Sequence, residues 1–198
     1  TLTAEAGNVT LEADGSIANA TVTALADAEL SAAAIGGSTV VAGGGVTVEG
    51  TIAESSLSAQ VGDISISEAL AGITNVTASA GGDIDLADSG WVAGGSFIAG
   101  GNVSAVLDYT ILDAAFQGET VTLVADNGDG AIDAMGNLSV TARDSAELSA
   151  AGDISNTSVL AANAATIDLD GDLNNNTVTA DSITITGLEN LENGSYLA

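Results

Sequence analysis

The sequence predicts an all-β chain wound as a single-stranded, right-handed parallel β-helix (a β-solenoid) of about ten coils with three strands per coil. Three observations lead there. Apolar residues recur in three interleaved ladders with rungs about 19 positions apart, apolar and polar residues alternate around the rungs, and Gly-Asn or Gly-Asp pairs punctuate the chain at a similar interval.

The stretch 62–80, GDISISEALAGITNVTASA, is the unit, and the following GGDIDLADSGWVAGGSFIAG repeats its plan. One ladder runs Val9, Leu30, Val46, Ile64, Ile84, Val103, Val121, Leu148, Ile167, Ile183. A second, on the returning strand, runs Val22, Val40, Leu57, Val76, Phe97, Phe116, Val140, Val159, Val178, Tyr196. A looser third runs Ile17, Ile35, Ile52, Leu70, Val92, Ile111, Ile132, Ile154, Leu173, Leu191. Around them Val-Thr-Leu, Ile-Ser-Ile and Ile-Thr-Ile show the period of two that a strand with one buried face requires. The Ala-rich segment 24–34 also fits helical spacing; because a ladder passes through it, it reads as strand.

Punctuation falls at Gly7-Asn8, Gly62-Asp63, Gly82-Asp83, Gly101-Asn102, Gly136-Asn137, Gly152-Asp153 and Gly171-Asp172. Gly and Asn tolerate left-handed backbone, so these pairs are expected to turn the corners. The absence of Pro agrees, since an inner coil needs every N–H for its ladder. Residues 1–198 then form one domain, a segment of a longer rod or a stacking unit. Its longest coil, over 126–144, is expected to bulge and carries the sole basic residue, Arg143. Leu2, Val9 and Leu11 start in register and Tyr196 still holds a rung, so neither end reads as a cap. The rod is expected to continue, in attached sequence or by end-to-end assembly.

Composition narrows the functional classes. A 46% hydrophobic content indicates an ordered core, and 3% aromatics make it thin and regular. A formal charge of −26 with one cation disfavours nucleic acid as a partner and a bare anionic membrane as a surface. Without Cys or His there is no disulfide, thiolate or imidazole chemistry. The chain opens at Thr1 with neither a signal peptide nor a transmembrane run, as a mature region or an excised segment would.

The phrases GNVTLEADGSIANATVTA, GDISISEALAGITNVTASA, AAGDISNTSVLAAN and GDLNNNTVTADSITITG resemble the repeats of large bacterial exoproteins of the filamentous-haemagglutinin and autotransporter-adhesin kind. The resemblance covers nearly the whole chain and implies a secreted, cell-surface rod acting as stalk or adhesin. Departures are the missing secretion domain and the absence of Lys. A left-handed β-helix is the structural rival, but its strict 18-residue coil is not kept here.

Several local signals carry a chemical reading beside a plainer one. Asp126 and Asp129, and Asp168, Asp170 and Asp172, cluster oxygens as a calcium loop would. Neither cluster keeps the EF-hand spacing, and solvated acidic turns or weak calcium bridging between coils compete with a dedicated site. Asn8, Asn19, Asn75, Asn102, Asn137, Asn156, Asn175 and Asn193 each open an Asn-x-Ser/Thr triplet, the acceptor for N-glycosylation. A corner Asn followed by an inward residue and an outward Ser or Thr writes the same triplet with no sugar involved. The pairs Thr21/Thr23, Thr177/Thr179 and Thr184/Thr186 suggest an ice-like array, against which neighbouring coils carry Ser, Asp or Glu. Trp91 and Tyr109, about one coil apart, suggest a sugar-stacking patch, while Phe97 and Phe116 read as stacked core.

These readings give a non-enzymatic extracellular structural or adhesive rod. Its partners are further coils or other chains at the rod ends, and cell-surface carbohydrate. The alternative is a calcium-stabilised surface-layer or sheath subunit assembling end to end. A polysaccharide-acting enzyme is the third class; a lyase needs cations that this chain lacks, and a glycosidase needs two carboxylates that the sequence does not single out.

Overall fold

The computed structural model describes residues 1–126 and 133–198, with the Asp88 side chain excepted. Among these residues there are 25 strands and no helix, and the paired strands run parallel. Each strand pairs with the equivalent strand one coil earlier and one coil later, so the chain is a β-solenoid of about ten turns. The segment 24–34 is strand on either side of a short turn, as Thr21–Ala24 and Ala28–Gly36.

Three stacked faces make up each coil. On the first, Val46 pairs with Ile64, Ile64 with Ile84 and Ile84 with Val103. On the second, Ile17 pairs with Ile35, Ile35 with Ile52, and onward through Ile73, Val92 and Ile111. On the third, Val22 lies on Val40, Val40 on Leu57, and later Phe97 on Phe116 and Phe116 on Val140. Alternation places every second side chain inside, where these rungs are almost fully buried. The core is therefore continuous from coil to coil, a column of aliphatic side chains closed on three sides by sheet.

Some ladder rungs differ from the sequence reading. The first-face rung shared with Val9 and Val46 is Ala28, whereas Leu30 belongs to the parallel inward column with Leu11 and Val48. Likewise Ala146 and Ala165 take the rungs read as Leu148 and Ile167, which stand two residues on. Both columns point inward, so a shift of two leaves the burial pattern intact. Ala78, not Val76, lies between Leu57 and Phe97. Ile73 replaces Leu70, which projects into solvent at 74% exposure. Met135 fills the rung assigned to Ile132, which lies outside the described residues.

Phe97 and Phe116 stack with ring centroids 5.1 Å apart and planes within 12°, the core pair read from their ladder positions. Ala78 on one side of the pair and Val140 on the other leave room for the rings. The longest first-face step, from Val121 to Ala146, spans the residues outside the described set.

Candidate functional site

Between the second and third faces, every coil turns at one residue with positive φ. The column comprises Asn19, Gly37, Glu54, Asn75, Gly94, Asp113, Asn137, Asn156, Asn175 and Asn193, with φ from 49° to 75°. This backbone crowds a Cβ, and Asn tolerates it better than most residues because its short side chain bonds locally. The residue that follows turns inward. Four of these are buried and polar, and they satisfy one another across coils: Ser38 N–H donates to Ser55 Oγ at 3.1 Å, and Thr157 N–H donates to Asn176 Oδ1 at 2.7 Å.

Between the third and first faces, the corner is held differently. The Asp27 N–H donates to Asn8 Oδ1 at 3.2 Å, and Asp27 Oδ1 accepts from Gly45 N–H at 2.9 Å. After Gly45 the column resumes: Asp63 Oδ1 accepts from Asp83 N–H, Asp83 Oδ1 from Asn102 N–H, and Asn102 Oδ1 from Thr120 N–H. Positive φ is therefore not the general feature of the Gly-Asx pairs; of their residues, Gly7 and Asn137 have it. The glycines serve close approach instead. A Cβ on Gly82 or Gly101 would collide with the carboxylate of Asp63 or Asp83 in the coil before, and one on Gly62 would lie 2.7 Å from the Gly44 carbonyl carbon.

The calcium candidates fall in two places. Asp126, Asp168 and Asp170 line one shallow depression of about 90 Å³ with Ser149 and Ala150. There the Asp168 carboxylate accepts a 2.6 Å hydrogen bond from Thr186 Oγ1. Asp172 belongs to another corner, where its N–H donates to Asp153 Oδ1 and its Oδ1 accepts from Asn190 Nδ2. Asp129 lies outside the described residues. Among the described residues, no group of three or more acidic side chains is arranged to hold a metal ion.

All eight triplet asparagines are exposed. Six of them, Asn19, Asn75, Asn137, Asn156, Asn175 and Asn193, are members of the left-handed column. Each is followed two residues later by an outward Thr or Ser on the third face, which opens a strand in every case but Thr77, inside the continuous strand Ile73–Ala80. Asn8 and Asn102 belong to the other corner, where their side-chain oxygens hold the coil that follows. All eight triplets thus begin at a corner of the coil.

Arg143 reaches back two coils. Its Nε lies 3.1 Å from Glu119 Oε2, and its Nη2 donates to the Gly100 carbonyl. Trp91 is partly buried over Gly72, where any Cβ would strike the indole, while Tyr109 is exposed. Burial raises the Tyr196 pKa above its ordinary 10.0.

Charge divides unevenly over the three faces. Outward positions of the first carry Glu12, Glu29, Glu49, Asp85, Glu147 and Asp168; the strands of the second carry Asp113, Asp172 and Glu192. Past the corner residues Glu54 and Asp113 that border it, the third face carries no charged residue on its strand segments. One of its outward columns reads Thr21, Thr39, Ser56, Thr77, Ser96, Ala115, Ser139, Ser158, Thr177, Ser195. Two of the three Thr-x-Thr pairs lie here, with Thr21 beside Thr39 and Thr177 between Ser158 and Ser195, whereas Thr184/Thr186 lies on the first face. The strand neighbours of the two third-face pairs are therefore not acidic, while Thr186 of the third pair does lie beside Asp168. Ladder reading missed this face because it follows inward residues, and the signal available was the residue two places after each corner Asn. Among the described residues, no helix is long and apolar enough to cross a membrane. No protein-family model, curated protein or solved structure matches this chain.

Proposed function

We propose that this chain is a non-enzymatic structural rod of the cell surface, a stalk or fibre segment of a secreted exoprotein. The observation that carries the reading is the repetition of one cross-section through about ten turns. Its corners are tied coil to coil by side-chain hydrogen bonds. Such a stack transmits position over distance with few different parts. A second support is the chemistry: the chain has no His and one cation, and that cation is bonded to Glu119 and Gly100.

Antibody labelling and protease shaving of intact cells that make the protein test this reading. Labelling and release without lysis are the expected results, and protein found only after lysis removes the surface assignment. The alternative, a sheath or surface-layer subunit stacking end to end, draws on the apolar side chains of the end coils, Leu2, Leu191 and Leu197. Calcium titration separates the two: a large rise in melting temperature or the appearance of filaments favours the sheath, and indifference favours the stalk.

A further inference from the structure

We propose that the third face is a self-association surface through which two copies of this chain pair side by side along their length. The argument begins with charge. Two copies bring 27 carboxylates each, and the first face would set its six acidic side chains against six more. Like charges brought together at an interface oppose association. The third face has no charged side chain in either outward column, its nearest carboxylates on that corner being Glu54 and Asp113 at the border, so two rods can approach over it without setting charge directly against charge.

Its chemistry is self-complementary. A hydroxyl both donates and accepts, so a column of Ser and Thr meets a copy of itself with hydrogen bonds available in both directions. Carboxylates accept only, and a column of them cannot do this. Beside the hydroxyls, the second outward column adds Val41, Ile98 and Leu160. Ile98 is 43% and Leu160 51% exposed, apolar surface that a second copy would remove from water. Near the middle of the face, Ser96, Ile98, Ala115, Gln117, Ser139 and Thr141 line a dent of about 80 Å³ next to the Ile98 side chain. A two-fold axis through this region sets each Ile98 against its partner's dent, the isologous geometry of a closed pair.

The area suffices. Ten coils at about 4.8 Å and strands of four residues at about 3.3 Å give a face of roughly 48 by 13 Å. That is roughly 600 Å² a side and about 1,200 Å² in total, the lower bound for a stable specific interface.

Sedimentation equilibrium over a range of protein concentrations, at low and high NaCl, tests the proposal. A monomer–dimer equilibrium is expected, tighter at high salt because the acidic corners repel. Ile98→Asp is expected to weaken it by at least about tenfold, since it places a carboxylate against its own copy. Val106→Asp, an equally exposed outward position on the first face, is expected to leave it unchanged. Matching circular dichroism of both variants shows that neither has unfolded. A monomer at every concentration and salt overturns the proposal. So does a dimer that survives Ile98→Asp and is abolished by Leu191→Asp, which assigns association to the coil ends. Binding of the monomer to a neutral polysaccharide or to ice, lost in Ile98→Asp with no dimer at any concentration, assigns the face to that ligand and also overturns it.

Discussion

At the corner between the second and third faces one backbone conformation recurs ten times, and the residue occupying it sets the local cost. Glu54 sits there at φ 49°, with neither the freedom of glycine nor the local bonding of asparagine. Glu54→Gly is expected to stabilise the fold by about 1 kcal/mol, read from urea midpoints. The reverse change at the equivalent position, Gly37→Ala, is expected to destabilise by about 1–2 kcal/mol. It imposes the same strain and brings a Cβ to within 2.8 Å of Asn19 Oδ1. Tyr196 makes the other residue-scale case. Its ring packs against the core, and its hydroxyl has no hydrogen-bond partner among the described residues. Burial favours the neutral phenol, so the folded pKa stands above the unfolded one. Stability linked to this group is complete below about pH 10 and falls as pH rises through and beyond that value. Tyr196→Phe should remove this alkaline loss without lowering stability at pH 7, checked by urea midpoints between pH 9 and 11. The corner column was partly legible in the sequence, because six glycosylation triplets mark six of its ten members. Glu54 and Asp113 were not, since Glu rarely takes positive φ and Asp113 stands in neither a glycosylation triplet nor a Gly-Asx pair.

At the scale of the strand and its ladder, side chains matter through their neighbours one coil away. Asp83 accepts a hydrogen bond from the Asn102 N–H while its own N–H donates to Asp63. Asp83→Asn keeps an acceptor and removes one of two adjacent negative charges, so stability should hold or rise slightly at low salt. Asp83→Ala leaves the Asn102 N–H without that acceptor and is expected to cost about 1 kcal/mol. Chemical denaturation of the two variants side by side separates the hydrogen bond from the charge. The aromatic rung is steeper. Phe116→Ala opens a cavity between Phe97 and Val140, and a loss of about 3–5 kcal/mol is expected in the same measurement. The ladders themselves were readable because burial alternates with a fixed period of two. That same period explains the misplaced rungs, since Ala28 and Leu30 point to the same side and only hydrogen-bond register tells them apart. Leu70 was misread for another reason: an apolar type at roughly the right interval proved to sit in an exposed turn.

Across the whole molecule, stability is a sum over coils and the interfaces between neighbours. Repulsion along the acidic corners opposes that sum, so melting temperature should rise between low and moderate NaCl, as differential scanning calorimetry would record. A flat response would mean that the corner carboxylates already have their charge offset. Architecture was legible because repetition amplifies a weak local pattern, whereas the division of charge among faces was not, since it emerges only when the coils are wound and outward columns align. Arg143, drawn back to Glu119 and Gly100, has a last consequence. Enzymes that cut beside basic side chains find a single address in 198 residues, at a corner already engaged by the two preceding turns. Even when unravelled, the chain would yield only two pieces to such a protease.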